Sequence, residues 1–306
     1  MLSILIPEHN YNCTKLVSDL AGQCIKSGIV FEIIVMDDKS ELCKDINQRI
    51  SKIPNCFFVE SGQNMGPSAT RNCLARMAKY PHLLLIDCDA EVNNEKFIER
   101  YLKAMGLAPV IVGGINYSSE KPSPDHYLRW VYGRKREFRP ARIRNKNPYI
   151  SLISFNLMIE KKIMMKVPFD ERFIDYGHED SVYGYTLKQN KIKILHIDNT
   201  LINGLDSNQT FLAKSRKAVE KCVTNPVFQS DEIVKQIKIF RIFKKIQSLG
   251  LCRLLALKYR FAKNMMEHNL CGRHPSLFIY DFYRLSYLCN FYLEQQKTIV
   301  QPKNQP

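Results

Sequence analysis

The sequence predicts an α/β protein: a doubly wound, mostly parallel sheet followed by a helical C-terminal extension. Three observations lead there. Short apolar runs recur with helical patterns between them, as parallel strands with crossover helices require. Three of those runs end in acids: Ile4-Leu5-Ile6-Pro7-Glu8, Ile33-Ile34-Val35-Met36-Asp37-Asp38, and Leu83-Leu84-Leu85-Ile86-Asp87-Cys88-Asp89. The composition then changes, with 17 Lys and Arg against six Asp and Glu from residue 211 onward.

The elements follow in order. Leu2 to Ile6 reads as the first strand, too short and too early to follow a secretory leader. A helix runs from Thr14, the expected N-cap, through Ile25 to a stop near Gly28. Phe31 to Met36 is the second strand, Cys43 to Ile53 a helix, and Cys56 to Val59 the third strand. The loop Asn64-Met65-Gly66-Pro67 opens a helix that lasts to about Lys79. The run Leu83 to Asp89 is the next strand, and Pro109 to Ile115 another. Residues 125 to 147 interleave Arg129, Arg134, Lys135, Arg136, Arg139, Arg142, Arg144 and Lys146 with Trp130 and three other aromatics, which reads as a mobile basic segment. It either covers an anionic ligand or forms a solvated basic face. Ile150 to Ile159 is apolar, Ser181 to Asn190 helical, and Lys193 to Asp198 a late strand. Three parts are expected: a main domain over 1–215, a basic, aromatic-rich helical extension over 216–300, and a disordered tail over 301–306.

Composition limits the function. The 306 residues are 45% hydrophobic, enough for a full core, and the net charge of +15 calls for an anionic partner. Ten cysteines form no CxxC pair or zinc-site spacing, so they read as reduced small hydrophobes of a cytosolic protein. No run of 18 uncharged apolar residues exists to span a bilayer. No nucleic-acid motif accompanies the charge, so a nucleic-acid partner is not expected. The Gly66 loop lacks both the dinucleotide and the P-loop pattern.

In an extended chain residues i and i+2 face one side, so Asp87 and Asp89 are expected to project together from the strand end. That edge of an open α/β sheet is where ligands bind. Paired carboxylates there suit Mg²⁺ or Mn²⁺ held jointly with substrate phosphates, or are simply a solvated strand end. Arg71, in the first turn after Gly66, can meet a base edge or a phosphate bidentately. Glu179 and Asp180 stand at a helix start, where the dipole favours their charge; either could act as a base or cap the helix.

Taken in order, Ile4-Leu5-Ile6-Pro7, Asp37-Asp38-Lys39-Ser40, Asn64-x-Gly66 with Arg71-Asn72, Asp87-x-Asp89 and Gly177-His178-Glu179-Asp180 resemble the family 2 glycosyltransferases of the GT-A fold, over roughly residues 1 to 215. Asp198 to Leu205, with Asn208 and Phe211-Leu212-Ala213-Lys214, looks like a bacterial subgroup. The resemblance implies an inverting, metal-dependent transfer of a sugar from a nucleotide-sugar donor, usually a UDP-sugar. The acceptor would be a glycan or lipid-linked molecule in cell-surface polysaccharide synthesis, and the cofactor Mn²⁺ or Mg²⁺. It also implies residue roles. Pro7 and His9 would line the nucleoside pocket; Asp37, Asp38, Asn64, Gly66 and Arg71 would bind the nucleotide. Asp87 and Asp89 would face the ribose and the metal-bridged diphosphate. Glu179 would hold the acceptor and Asp180 would be the base. Two positions depart from the pattern. His9 stands where Tyr or Phe is frequent, and Asn203 where a His metal ligand is frequent; nearby His196 is the expected substitute.

The extension adds two further expectations. Its basic amphipathic helix from Ile237 and its aromatic stretch Leu277 to Leu293 either pack on the main domain or lie on an anionic membrane, giving a cytoplasmic protein peripheral at the inner face of the plasma membrane. The alternative to an enzyme is a degenerate, non-catalytic nucleotide- or sugar-binding assembly partner, motivated by Asn203.

Overall fold

The computed structural model describes residues 1–174 and 177–300. Residues 175–176 and the tail 301–306, the latter read above as disordered, lie outside the described residues. The chain divides into two compact units, one of residues 1–118, 136–174 and 179–204, the other of 119–135, 177–178 and 205–300.

In the first unit the chain order is β1 (Leu2–Glu8), α1 (Thr14–Lys26), β2 (Phe31–Asp37), α2 (Lys44–Asn47), β3 (Cys56–Glu60), α3 (Gly66–Met77), β4 (His82–Ile86), β5 (Ala90–Glu91), α4 (Phe97–Ala104), β6 (Val110–Val112) and β7 (Ile115–Asn116). After α5 (Tyr127–Tyr132), which belongs to the second unit, come α6 (Ala141–Arg144), β8 (Asn156–Glu160), α7 (Lys161–Lys166), α8 (Glu179–Gln189), β9 (Ile194–His196) and β10 (Leu201–Asn203). The seven-stranded sheet has the order β3-β2-β1-β4-β8-β6-β9, and β5-β10-β7 form a small second sheet. β1 pairs in parallel with β2 and β4, whereas β8 runs antiparallel between β4 and β6. The expected fold class is therefore the observed one.

The central strands are continuous apolar runs because both faces are covered. Ile4, Ile6, Ile33, Val35, Leu84 and Ile86 pack on α1 and α4 through Leu16, Val17, Leu20, Phe97, Ile98 and Tyr101. Their alternates Leu5, Ile34, Leu83 and Leu85 pack on Leu74, Met164, Tyr183 and Leu187 of α3, α7 and α8. Both helical layers hold the β1, β2 and β4 ends rigidly, and the candidate residues sit on those ends.

Several boundaries differ from expectation. α1 begins at Thr14, with Cys13 as its N-cap, and Asn12 Oδ1 accepts from the Thr14 N–H and hydroxyl. The helix expected over 43–53 is α2 followed by a tight 3₁₀ turn, Gln48–Lys52, which buries Ile50. The strand expected over 109–115 breaks after Val112, because the chain turns at Gly113-Gly114. A Cβ on Gly114, at φ +96°, would lie 2.6 Å from Arg144 Nη2. In the basic segment Arg129 and Arg144 are buried, whereas Arg134, Lys135, Arg136, Arg139, Arg142 and Lys146 form an exposed basic face. Arg144 is buried and donates to Arg139 O, Val112 O, Gly113 O and Ile197 O.

The second unit continues with α9 (Asn208–Thr224), α10 (Asp231–Gln236), α11 (Lys238–Ser248), α12 (Cys252–Cys271) and α13 (Leu277–Val300). Ser207 caps α9 by accepting from Thr210 N. Leu128, Phe211, Leu212, Tyr259, Met266, Leu270, Tyr280 and Tyr283 form its core, and Asn208 Oδ1 receives Leu128 N at 2.9 Å. A break between 215 and 216 would cut α9; the packing divides at Gly204–Leu205. All ten cysteines are free.

Candidate active site

Glu8 and Asp37 are the last residues of parallel strands β1 and β2, and Asp38 follows; all three are buried. Asp37 Oδ1 accepts from Ser40 N at 2.7 Å, and Glu8 Oε1 from Tyr11 N at 2.8 Å. Burial raises the Glu8 carboxyl above its ordinary range and Asp37 adds to that, against the pull of the Tyr11 N–H. Asp38 receives Met65 N at 2.6 Å and Gly66 N at 2.8 Å, one on each oxygen, at the positive N-terminus of α3. His9 Nδ1 lies 3.0 Å from Asp38 O, Pro7 is half-buried in β1, and Asn64 is exposed in the loop before α3. The expected nucleoside residues Pro7, His9, Asp37, Asp38, Asn64 and Gly66 thus gather at one sheet edge. Asp37 and Asp38 spend their carboxylates on backbone N–H groups and shape the loops. Glu8, which follows Pro7 directly, went unread as part of this set.

Gly66 is fixed by geometry. Its φ is +79°, and a Cβ there would stand 2.0 Å from Ile174 O. Gly66→Ala is expected to cost about 3 kcal/mol or more from strain and clash together. That corresponds to a melting temperature lower by roughly 5–10 °C, measurable by scanning calorimetry.

β4 ends at Ile86, so Asp87 and Asp89 stand in a turn closed by Ala90 N donating to Asp87 O at 3.1 Å. The strand-alternation argument for their common direction does not apply. Arg71 Nη2 binds Asp87 Oδ1 at 2.6 Å, with Arg71 4% and Asp87 30% exposed. Arg71 Nε and Nη1 are buried with no hydrogen-bond partner, and its guanidinium lies 5.6 Å from the Phe169 ring centre. Burial opposes the Arg71 charge, but Asp87, Asp180 and Glu179 outweigh it and hold the group firmly protonated.

Asp89 O accepts from Gly204 N at 2.9 Å, and Asn203 pairs with Ala90 across β10 and β5. The Asn203 amide is therefore next to the Asp87–Asp89 turn; its Nδ2 donates to Gly204 O at 2.6 Å. His196 is elsewhere and occupied. Arg144 Nη1 donates to its Nδ1 at 2.8 Å, and its Nε2 donates to Pro148 O at 2.9 Å. Burial pushes it down to about 4, with Arg144 reinforcing and Pro148 opposing. Both ring nitrogens are used, so His196 is withdrawn as a metal-ligand substitute. Among the described residues no three His, Cys, Asp or Glu side chains form a cation cage. By donor type alone, two carboxylates and an amide oxygen suit a hard divalent ion.

Glu179 and Asp180 open α8. Burial raises Asp180 to about 7 and the Glu179 charge adds to it, while Arg71 and the buried Ser154 hydroxyl pull it down. Asp180 Oδ1 is buried without a hydrogen-bond partner, leaving an oxygen available to a proton. The segment leading to α8 is tied to α3. Asn72 Nδ2 donates to Phe169 O at 2.9 Å, Phe169 N donates to Asn72 Oδ1 at 3.0 Å, and Phe169 stacks on Tyr183 at 3.8 Å. Ser154 and Phe169 carry no chemistry of their own in the sequence, and Asn72 stands there only as the neighbour of Arg71; the fold reveals their part.

The profile of Glycosyl transferase family 2 matches residues 3–167, more than half the chain. The chain belongs to that family. Among the relatives of this family 2 chain, a poly(ribitol-phosphate) beta-glucosyltransferase of Bacillus spizizenii is 33% identical over 106 residues, 33% of this chain and 16% of that protein. A chondroitin synthase of Escherichia coli is 25% identical over 223 residues, 61% of this chain and 32% of that protein. The chain thus spans a third or less of the curated relatives it matches. Its fold is similar to that of S. aureus TarS (1-349), with a TM-score of 0.52 at 14% identity, covering 98% of this chain and 92% of the other. The family assignment and this likeness agree with the GT-A-type reading of the sheet.

Proposed function

We propose that this family 2 glycosyltransferase moves a sugar from a nucleotide-sugar donor, a UDP-sugar, to a hydroxyl of a glycan or lipid-linked acceptor, with inversion, in cell-surface polysaccharide synthesis. The observation that carries the reading is Asp180: a carboxylate raised to about 7, with one unpartnered oxygen, beside the Arg71–Asp87 pair. The names of the two curated relatives, both concerned with polymers, support the acceptor class.

In this reading Asp180 takes the proton of the acceptor hydroxyl as its oxygen attacks the anomeric carbon in line. The bond from that carbon to the diphosphate breaks, and the leaving group keeps the electron pair. Glu179 orients the acceptor. Pro7, His9, Asn64 and Gly66 line the nucleoside, with Asp37 and Asp38 holding the loops that shape its site. Arg71 fixes Asp87 and keeps its carboxylate from raising Asp180 further. Asp89, Asp87 and the Asn203 amide would hold Mn²⁺ or Mg²⁺, which supplies charge neutralisation for the diphosphate when bound.

Calorimetric titration of UDP, with Mn²⁺ and with chelator, tests the donor site. The expected result is binding at least tenfold tighter with Mn²⁺, an enhancement lost in Asp89→Ala. Absence of UDP binding under both conditions overturns the donor assignment. Equal binding in both removes the metal. The ligand set, with Asn203 as its third member, favours as the second reading a binding-only assembly partner. Donor that binds but is never consumed with any glycan acceptor would select it.

A further inference from the structure

The helical unit buries most of the apolar surface that its sequence advertises. In α11, Phe240 and Phe243 are buried, their rings 5.9 Å apart, and Phe243 meets Tyr292 at 5.5 Å. In α13, Tyr280, Tyr283, Leu288 and Cys289 are buried. These buried residues of α11 and α13 therefore pack on each other, on α9 and, for α13, on the inner face of α12.

α12 is different. Its Cys252, Ala256, Tyr259, Met266 and Leu270 face the core. On the opposite side Leu254, Leu257, Phe261 and Met265 are exposed at 50%, 52%, 84% and 72%. Their spacing of three and four residues places them in one row along the helix. Leu249 and Leu251, both exposed, extend the row at its N-terminal end. Four apolar side chains in line on a surface helix form a contiguous patch, not scattered exposure.

The charges around the row are one-sided. α12 carries Arg253, Lys258, Arg260 and Lys263, all exposed, against a single acid, Glu267. Glu267 is turned inward, accepting from Tyr283 Oη at 2.6 Å. α11 adds exposed Lys238, Arg241, Lys244 and Lys245. Glu294 of α13 pairs with Arg260 at 3.6 Å, and the bases still outnumber the acids. An apolar row with net positive flanks is complementary to a surface that is apolar inside and anionic at its boundary. A second copy of the chain would bring the same positive charges against these and repel them.

We propose that α12 lies in the interface of an anionic lipid membrane, with Leu254, Leu257, Phe261 and Met265 inserted among the acyl chains and Arg253 and Lys258 at the headgroups. This goes beyond the transferase reading and does not depend on it. Among the described residues no helix is long and apolar enough to cross a membrane, so the contact is in-plane.

Co-sedimentation with vesicles tests the proposal. Full-length protein is spun with vesicles of 70:30 phosphatidylcholine and phosphatidylglycerol, and with phosphatidylcholine alone, at about 0.1 M and 0.5 M NaCl. The expected result is pelleting with the anionic vesicles at low salt, reduced by high salt and by removing the anionic lipid. The double variant Phe261→Glu with Met265→Glu should lower the bound fraction at least tenfold. Ile150→Glu, at an exposed apolar position in the other unit, should leave it unchanged. Both variants act on exposed side chains, and an unaltered thermal melt verifies the fold. Failure of the wild type to pellet, or equal pelleting by the double variant, overturns the proposal. A smaller assembly mass for the double variant, with no vesicle binding by either protein, assigns the row to a second copy instead. UDP titration of the same proteins is expected to be unaffected, which separates this outcome from that of the donor site.

Discussion

Asp180→Asn is expected to bind the nucleotide donor as the wild type does and to lose transfer by about 10³-fold, the scale of a missing general base. The wild type should show a rate that climbs with pH and levels off above about 7, because only the deprotonated carboxylate accepts the acceptor's proton. The same substitution has a second, non-catalytic signature. The folded-state carboxyl titrates near 7 and the unfolded one near its ordinary 3.8, so between those values the native state holds the extra proton. Native stability from this group therefore falls as pH rises from about 4 to 7 and stays low above that. Asn carries no such proton. The variant should melt higher than the wild type at pH 8, and the gap should close towards pH 4. Turnover measured against pH, together with melts at both ends, reads both effects. Full transfer by the variant would remove Asp180 as the base.

Arg71→Leu is the second large effect. It leaves Asp87 without its 2.6 Å partner and withdraws the cation that pulls Asp180 down. Breaking a buried ion pair costs about 3–5 kcal/mol. Asp87 is 30% exposed and partly solvated, so about 1–3 kcal/mol is expected at neutral pH. The kinetic signature is more specific. The Asp180 carboxyl should rise above 7, moving the acid limb of the rate profile to higher pH and lowering the rate at neutrality by about 10²-fold. A variant that loses stability but keeps the wild-type limb would show that Arg71 serves packing alone. Arg71→Lys should restore charge without the planar fork, and with it part of the limb position.

How much of this could be read from the residues varies with the kind of signal. β1, β2 and β4 were legible because their runs are buried on both faces and stop at acids. α4 escaped notice because Phe97, Ile98, Tyr101 and Ala104 give only two turns of periodicity. The antiparallel direction of β8 is invisible in principle, since a strand covered on both sides shows the same apolar run either way. Type and spacing single out Asp87 and Asp89 but not their local geometry, because a strand end and a turn share the same letters. His196 is near Asn203 in sequence, but in space it faces Arg144. The pairing of Arg71 with Asp87, the Asn72 tie to Phe169 and the Ser154 bond to Asp180 join distant positions. Pattern within a window carries no trace of them.

The place of β8 also has a consequence for how the chain is made. β1 to β4 can assemble in parallel as soon as they leave the ribosome, each crossover closing locally. β4 then waits with one edge open, because its other neighbour, Asn156–Glu160, is synthesised only after α4, β6 and the whole basic segment. During that interval the apolar strand β4 offers unpaired backbone to any other nascent chain. The waiting edge is the point at which slowed translation or raised temperature should divert this protein into aggregates, and at which a chaperone has most to do.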